Sequence, residues 1–283
     1  MKIYTFLKMR TYTYLMAFIV LLFSSCEDVV EMDVKQGKEA FVVEGWITNK
    51  EEGNYIKLFK TIPYFNNPEF PAITNAVVTV SDDAGNVEIL KETEPGKYEI
   101  QSLKGVVGRT YKLGIQSKEG SYEAITTMQR LSWNMDSVTY EYKKKSVMVE
   151  KEGYYPAIYG QEQENIGDFI LLKIAKNGTW LKSYKDINLF SDEFVDGNYI
   201  TAAEPGLKDP FKKDDKITYE MWSLTEEAYR FWNDIRTQLS NGGLFAVPST
   251  NTRTNIVKKN TASLDAVGYF GASEVKVFEN VVK

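Results

Sequence analysis

Between Ala40 and Met128 the chain reads FVVEGWIT (41–48), YIKLFKT (55–61), AVVTVSD (76–82), VEILKE (87–92), KYEI (97–100), TYKLGIQS (110–117) and YEAITTM (122–128). In each run apolar and polar side chains alternate, which is the period of a strand with one face on a core. The gaps hold turn chemistry: Asp83-Ala84-Gly85-Asn86, Glu94-Pro95-Gly96-Lys97 and Lys118-Glu119-Gly120-Ser121 each place Gly where a turn needs positive φ. Seven short strands at this spacing predict an antiparallel β-sandwich of immunoglobulin-like or transthyretin-like kind over residues 39–130. Tyr64 to Ile73 (YFNNPEFPAI) interrupts the rhythm with two prolines and three aromatics. It reads as a crossover packing its rings on the sheet edge, or else as an exposed recognition loop.

Downstream, Leu131 to Asp136 (LSWNMD) reads as a hinge into a second β-rich domain, 131–283. Strands are expected at SVTYEYKK (137–144), KSVMVEKE (145–152), YPAIYGQE (155–162) and DFILLKIA (168–175), with a hairpin turn at Asn177-Gly178. One segment has helical period: Leu224, Ala228, Phe231, Trp232, Ile235 and Leu239 form a stripe over 224–240. Ser223 with Glu226 spells a capping box, and Asn241-Gly242-Gly243 a stop. The fold class is therefore mostly β with one main amphipathic helix.

Composition narrows the chemistry. The 283 residues include no histidine and one cysteine, which excludes histidine triads, His-based zinc sites and any internal disulfide. Residues 1–25 place Lys2, Lys8 and Arg10 before an apolar run from Tyr14 to Phe23, then two serines and Cys26. The run is short for a bilayer span of about 20 residues and fits a secretory signal. Small residues before a cysteine resemble a bacterial lipobox, which implies lipidation of Cys26. Residues 26–38 then form an acidic tether carrying Glu27, Asp28, Glu31 and Asp33, similar to the surface-export signal of Bacteroidota lipoproteins. Without Lys2, Lys8 and Arg10, 31 basic residues face 39 acidic ones, a net charge of −8. Nucleic acid is not expected as a partner, since no basic patch is present to release counterions.

Other motifs read as structure. Ser273-Glu274-Val275-Lys276 matches S-x-x-K, but Gly268 to Val282 alternates like a strand, which points Ser273 and Lys276 to opposite faces. Asp192, Glu193 and Asp196 could ligate calcium, but their spacing is not that of an EF-hand and Asp196-Gly197-Asn198 favours a hairpin turn. No phosphate loop occurs and no carboxylate pair is singled out for glycoside hydrolysis. Metal sites, cofactors and catalytic residues are accordingly not expected. Asp136-Ser137-Val138 resembles a Bacteroidota O-glycosylation site, with Ser137 as acceptor; Ser137 equally well begins a strand.

Several blocks together, Thr74 to Val80, Pro95 to Tyr98, Gly108 to Leu113, Asp192 to Gly197, Tyr229 to Trp232, Gly242 to Phe245 and Gly268 to Ser273, resemble a Bacteroidota family of outer-membrane lipoproteins. That family is catalogued as a domain of unknown function, and its genes commonly lie beside TonB-dependent receptors. The resemblance implies a non-enzymatic, lipid-anchored, surface-facing protein that assists a TonB-dependent nutrient transporter. Leu244 to Asn255 is the expected contact loop for a partner, small nutrient or glycan, with Phe245, Asn251, Arg253 and Asn255 its candidate residues. The alternatives are an adhesive glycan-binding surface protein and a carboxylate-based hydrolase.

Overall fold

The computed structural model describes residues 38–62, 70–241 and 252–283. Cys26, the signal segment, residues 27–37 of the acidic tether, Phe245 and Asn251 lie outside the described residues, as do residues 63–69 of the proline-rich interruption. The alternating runs form two facing sheets. One holds β1 (Phe41–Thr48), β2 (Tyr55–Lys60), β5 (Lys91–Glu94) and β6 (Lys97–Glu99); the other holds β3 (Val77–Asp82), β4 (Val87–Ile89), β7 (Thr110–Ser117) and β8 (Gly120–Thr127). The run VEILKE, read as one strand, is two strands in different sheets. Leu90 turns the corner between them, buried in the core while its N–H donates to Val78 O at 2.8 Å.

Inward residues of both sheets, among them Phe41, Val43, Ile56, Leu58, Val78, Val80, Leu113 and Ile115, make the first core. Tyr98, Tyr111 and Tyr122 are sealed in it as well. A buried phenol needs an acceptor, and each hydroxyl finds a main-chain one, on Ile73, Lys104 and Leu264 respectively.

The following residues build two more sheets. β10 (Gly153–Glu162) pairs with β9 (Trp133–Lys143) on one side and β14 (Tyr199–Ala203) on the other. β11 (Phe169–Lys176) pairs with β12 (Thr179–Trp180), β13 (Asn188–Ser191) and β15 (Lys216–Leu224), and β15 with β18 (Val275–Val281). Their core gathers Trp133, Ile158, Leu172, Phe211 and Tyr219. Asn177 and Gly178 both have positive φ, 51° and 80°, the geometry a two-residue hairpin turn requires. The stretch 145–152, expected as a strand, is a loop that leaves Val147 and Met148 exposed. The expected hinge is instead buried chain entering β9, with Leu131, Ser132 and Trp133 all inside.

Helix α1 (Glu226–Ser240) begins two residues later than the capping-box motif suggests. Its N-cap is Thr225, whose hydroxyl accepts from Ala228 N. Ser223 belongs to β15, where its hydroxyl donates to Gln129 O at 2.7 Å and accepts from Glu274 N at 2.8 Å. A nearby strand thus uses the side chain that local sequence assigns to the helix.

After the helix the chain returns to the first sandwich. β16 (Val257–Lys258) pairs with β8, and β17 (Ala266–Ser273) pairs with β1 in parallel, from Phe41 opposite Ala266 to Thr48 opposite Ser273. Residues 257–273, assigned by sequence to the second half, therefore complete the first. One residue further on, β18 is back in the β15 sheet. Ser273 and Lys276 consequently sit in different sheets: Ser273 Oγ donates to Ser223 O, whereas Lys276 Nζ reaches Asn134 Oδ1.

Candidate functional site

The outer face of the first sheet follows from strand parity. In β1 the odd residues Phe41, Val43 and Ile47 point into the core, so Val42, Glu44 and Trp46 point away from it. Register places Val267, Tyr269 and Gly271 of β17 on one side of that row and Phe59, Lys57 and Tyr55 of β2 on the other. Opposite this face lie Leu171 and Lys173 of β11, Trp222 of β15, and Phe231, Trp232 and Ile235 of α1. Between them opens a cleft of about 410 Å³, within the range of small-molecule sites.

Its walls are aromatic. The Trp46 ring centroid is 5.8 Å from Trp222, 6.4 Å from Trp232 and 6.0 Å from Tyr269. Phe231 stacks on Tyr269 at 4.9 Å. Gly271 makes room for Trp46, since a Cβ there would lie 2.1 Å from the indole. Trp232 Nε1 is buried without a hydrogen-bond acceptor among the described residues, a polar tip in an apolar wall.

Charge enters at two points. Lys173 Nζ lies 4.3 Å from the Trp222 ring centre and 5.1 Å from that of Trp180, a cation held between two π-faces. Burial lowers its pKa, and Glu220 on the neighbouring strand opposes that. Glu220 itself is engaged by Lys50 at 2.6 Å and by Trp222 Nε1 at 3.0 Å. Glu44 accepts a bond from the Tyr55 hydroxyl at 3.3 Å; burial and this carboxylate both raise the Tyr55 pKa. Such a cleft can stack a flat apolar face while offering one cation and one anion at its edge.

The residues singled out by sequence fall elsewhere. Arg253 pairs with Asp234 on α1 through Nε at 2.7 Å. Asn255 clasps β17, donating from Nδ2 to Phe270 O at 2.7 Å and accepting from Phe270 N at 3.0 Å. Ser137 is exposed on β9 beside a register shift that leaves Asp136 without a partner in β10. In the Asp192 to Gly197 stretch, a turn closes through Val195 N and Asp196 N donating to Asp192 O. Arg253, Asn255 and Ser137 do not line the cleft. The residues that do, Trp46, Trp222, Trp232, Tyr55 and Lys173, had one legible signal: in FVVEGWIT the tryptophan shares parity with Glu44, on the face turned from the core.

The family model described as "Domain of unknown function (DUF4249)" matches residues 27–279. The comparison with curated proteins finds no match.

Proposed function

We propose that this chain, which belongs to the family of domains of unknown function DUF4249, is a ligand-binding lipoprotein. It is anchored in the outer membrane through Cys26, faces the cell surface, and works beside a TonB-dependent transporter. The observation that carries the binding role is the aromatic cleft. Tryptophan and tyrosine rings fixed on β-strands offer large contact area at little cost in side-chain freedom. The ligand class that suits them is a small nutrient or glycan with a flat apolar face. Glu44 is the one carboxylate lining the cleft among the described residues, which favours binding over hydrolysis by a carboxylate pair. Anchoring rests on the signal segment and the cysteine that ends it.

A glycan and nutrient panel titrated against the intrinsic fluorescence tests the binding role. Specific ligands should quench tryptophan emission, and Trp46→Ala should weaken them about tenfold or more, as loss of a central aromatic anchor does. Quenching that survives both Trp46→Ala and Trp222→Ala would remove the cleft from the account. Affinity capture from mildly solubilised outer membranes should recover a β-barrel receptor, and Cys26→Ala should release the protein from the membrane. Tight glycan binding with no receptor recovered would favour adhesion instead.

A further inference from the structure

Glu162 at the end of β10, Asp168 just before β11 and Asp192 just after β13 bring three carboxyls to one place. One oxygen from each lies within 4.8 Å of the other two. We propose that these three residues form a calcium-binding site, separate from the aromatic cleft.

The protein fixes one oxygen of each carboxyl. Asp192 Oδ2 accepts from Gly167 N at 2.9 Å and from Asp168 N at 3.0 Å. Glu162 Oε2 accepts from Gly197 N at 2.6 Å, and Asp168 Oδ2 pairs with Arg130 at 2.7 Å. Glu162 Oε1 is different. The residue is 3% exposed and this oxygen is buried with no hydrogen-bond partner. Ser132 lines the same cavity, and its hydroxyl favours the ionised carboxyl without meeting Oε1 in hydrogen-bond geometry. An unpartnered buried carboxylate oxygen needs a proton, a hydrogen-bond donor such as a bound water, or a cation.

Charge and space favour the cation. Arg130 offsets one of the three negative charges, and the remaining two equal the charge of one calcium ion. The cavity measures about 200 Å³; beside the carboxyls it is walled by apolar groups such as Ile170 and Phe190, by Ser132 and Ser191, and by Trp133, whose Nε1 is also buried without a partner among the described residues, and it has room for an ion with bound waters. The donors are all oxygens, as a hard cation requires. Carboxyls carried at the ends of different strands suit the large, irregular oxygen shell of calcium better than the near-ideal octahedron that magnesium demands.

The site can be tested on the full chain in detergent. Calcium added after chelation should bind with a Kd of about 10⁻⁴ M and raise the melting temperature. Terbium should bind in its place and show luminescence sensitised by Trp133, which calcium then displaces. Glu162→Gln should lower calcium affinity at least about tenfold, the order seen when a metal site loses part of its support. Without calcium the same variant should melt above the wild type, because it removes a repelling charge. Glu193→Gln, an exposed neighbour outside the cluster, should bind as the wild type does. No calcium-dependent rise in melting temperature up to about 10 mM, well above the weakest extracellular sites, would overturn the proposal. So would unchanged affinity in Glu162→Gln, or an equal loss in Glu193→Gln.

Discussion

Gly271 sets the shape of the cleft although it contributes no side chain to it. Its missing Cβ is the space in which the Trp46 indole lies, so Gly271→Ala should displace the ring while leaving Trp46 in place. Overpacking of this kind costs about 1–3 kcal/mol. Urea unfolding should register that loss, and ligand titration should show binding reduced as in Trp46→Ala. Unaltered affinity and stability would mean that the indole has another resting place. At this scale the sequence is partly legible. Parity in β1 puts Trp46 and Glu44 on one face, but nothing local says that Trp222 and Lys173, more than a hundred residues away, close over them. Asn255 shows the opposite limit: its polar side chain in a loop read as a contact residue, and it serves as a clasp for the Phe270 main chain.

Among the elements, the junction between β4 and residues 101–103 is held by one carboxylate. Glu88 Oε1 accepts from Gln101 N at 2.7 Å, and Oε2 from Ser102 N at 3.0 Å and Leu103 N at 2.8 Å. Burial pushes this carboxyl up, but the N–H donors outweigh it and hold its pKa below the usual carboxylate value. A carboxyl with a depressed folded pKa stabilises the protein above its unfolded value, about 4.3, and that contribution is lost as pH falls through the folded value. Glu88→Ala should therefore cost about 1–3 kcal/mol at neutral pH and flatten the acid limb of the melting curve. A mutant with the same limb as the wild type would refute the assignment. Glu162 behaves with the opposite sign. Its raised folded pKa means that the native state binds the proton more tightly, so in calcium-free buffer Glu162 lowers stability at neutral pH, and that loss fades as pH falls through the raised value. Element boundaries were hardest to read where a neighbour from far along the chain decides them. Leu90 divides VEILKE because the core takes its side chain between two sheets, and Ser223 is drawn from the helix cap by Gln129 and Glu274. The stripe Ala228, Phe231, Trp232 and Ile235 was legible because a helical period is local.

At the scale of the molecule, the two halves are knitted by a chain that goes out and comes back. Alternation identified the strands of the first half and some of the second, missing β13, β14 and β15; it is silent on partner choice, and the parallel pairing of β1 with β17 joins segments that no local pattern connects. That pairing has a measurable signature. Amides shared by β1 and β17 should exchange only on global unfolding, at the slow limit of native-state hydrogen exchange. Deleting residues 257–283 should leave a chain that binds hydrophobic dyes and aggregates, because it strips an edge from β1, another from β15, and Phe270 from the first core. A soluble, cooperatively melting truncation would show that the two sheets close without the returning strand.

The same parallel pairing imposes a schedule on biosynthesis. Contacts such as the one from Asn49 to the Val275 carbonyl span 226 residues, and a ribosome adds roughly 5–20 residues per second. The first strand made is thus without its last neighbour for about ten seconds or more, and the sandwich closes only after nearly the whole chain has been synthesised. For the exported lipoprotein proposed above, which would thread a secretion channel unfolded, late closure is an advantage, since the segment needed to complete the fold arrives long after the first strand.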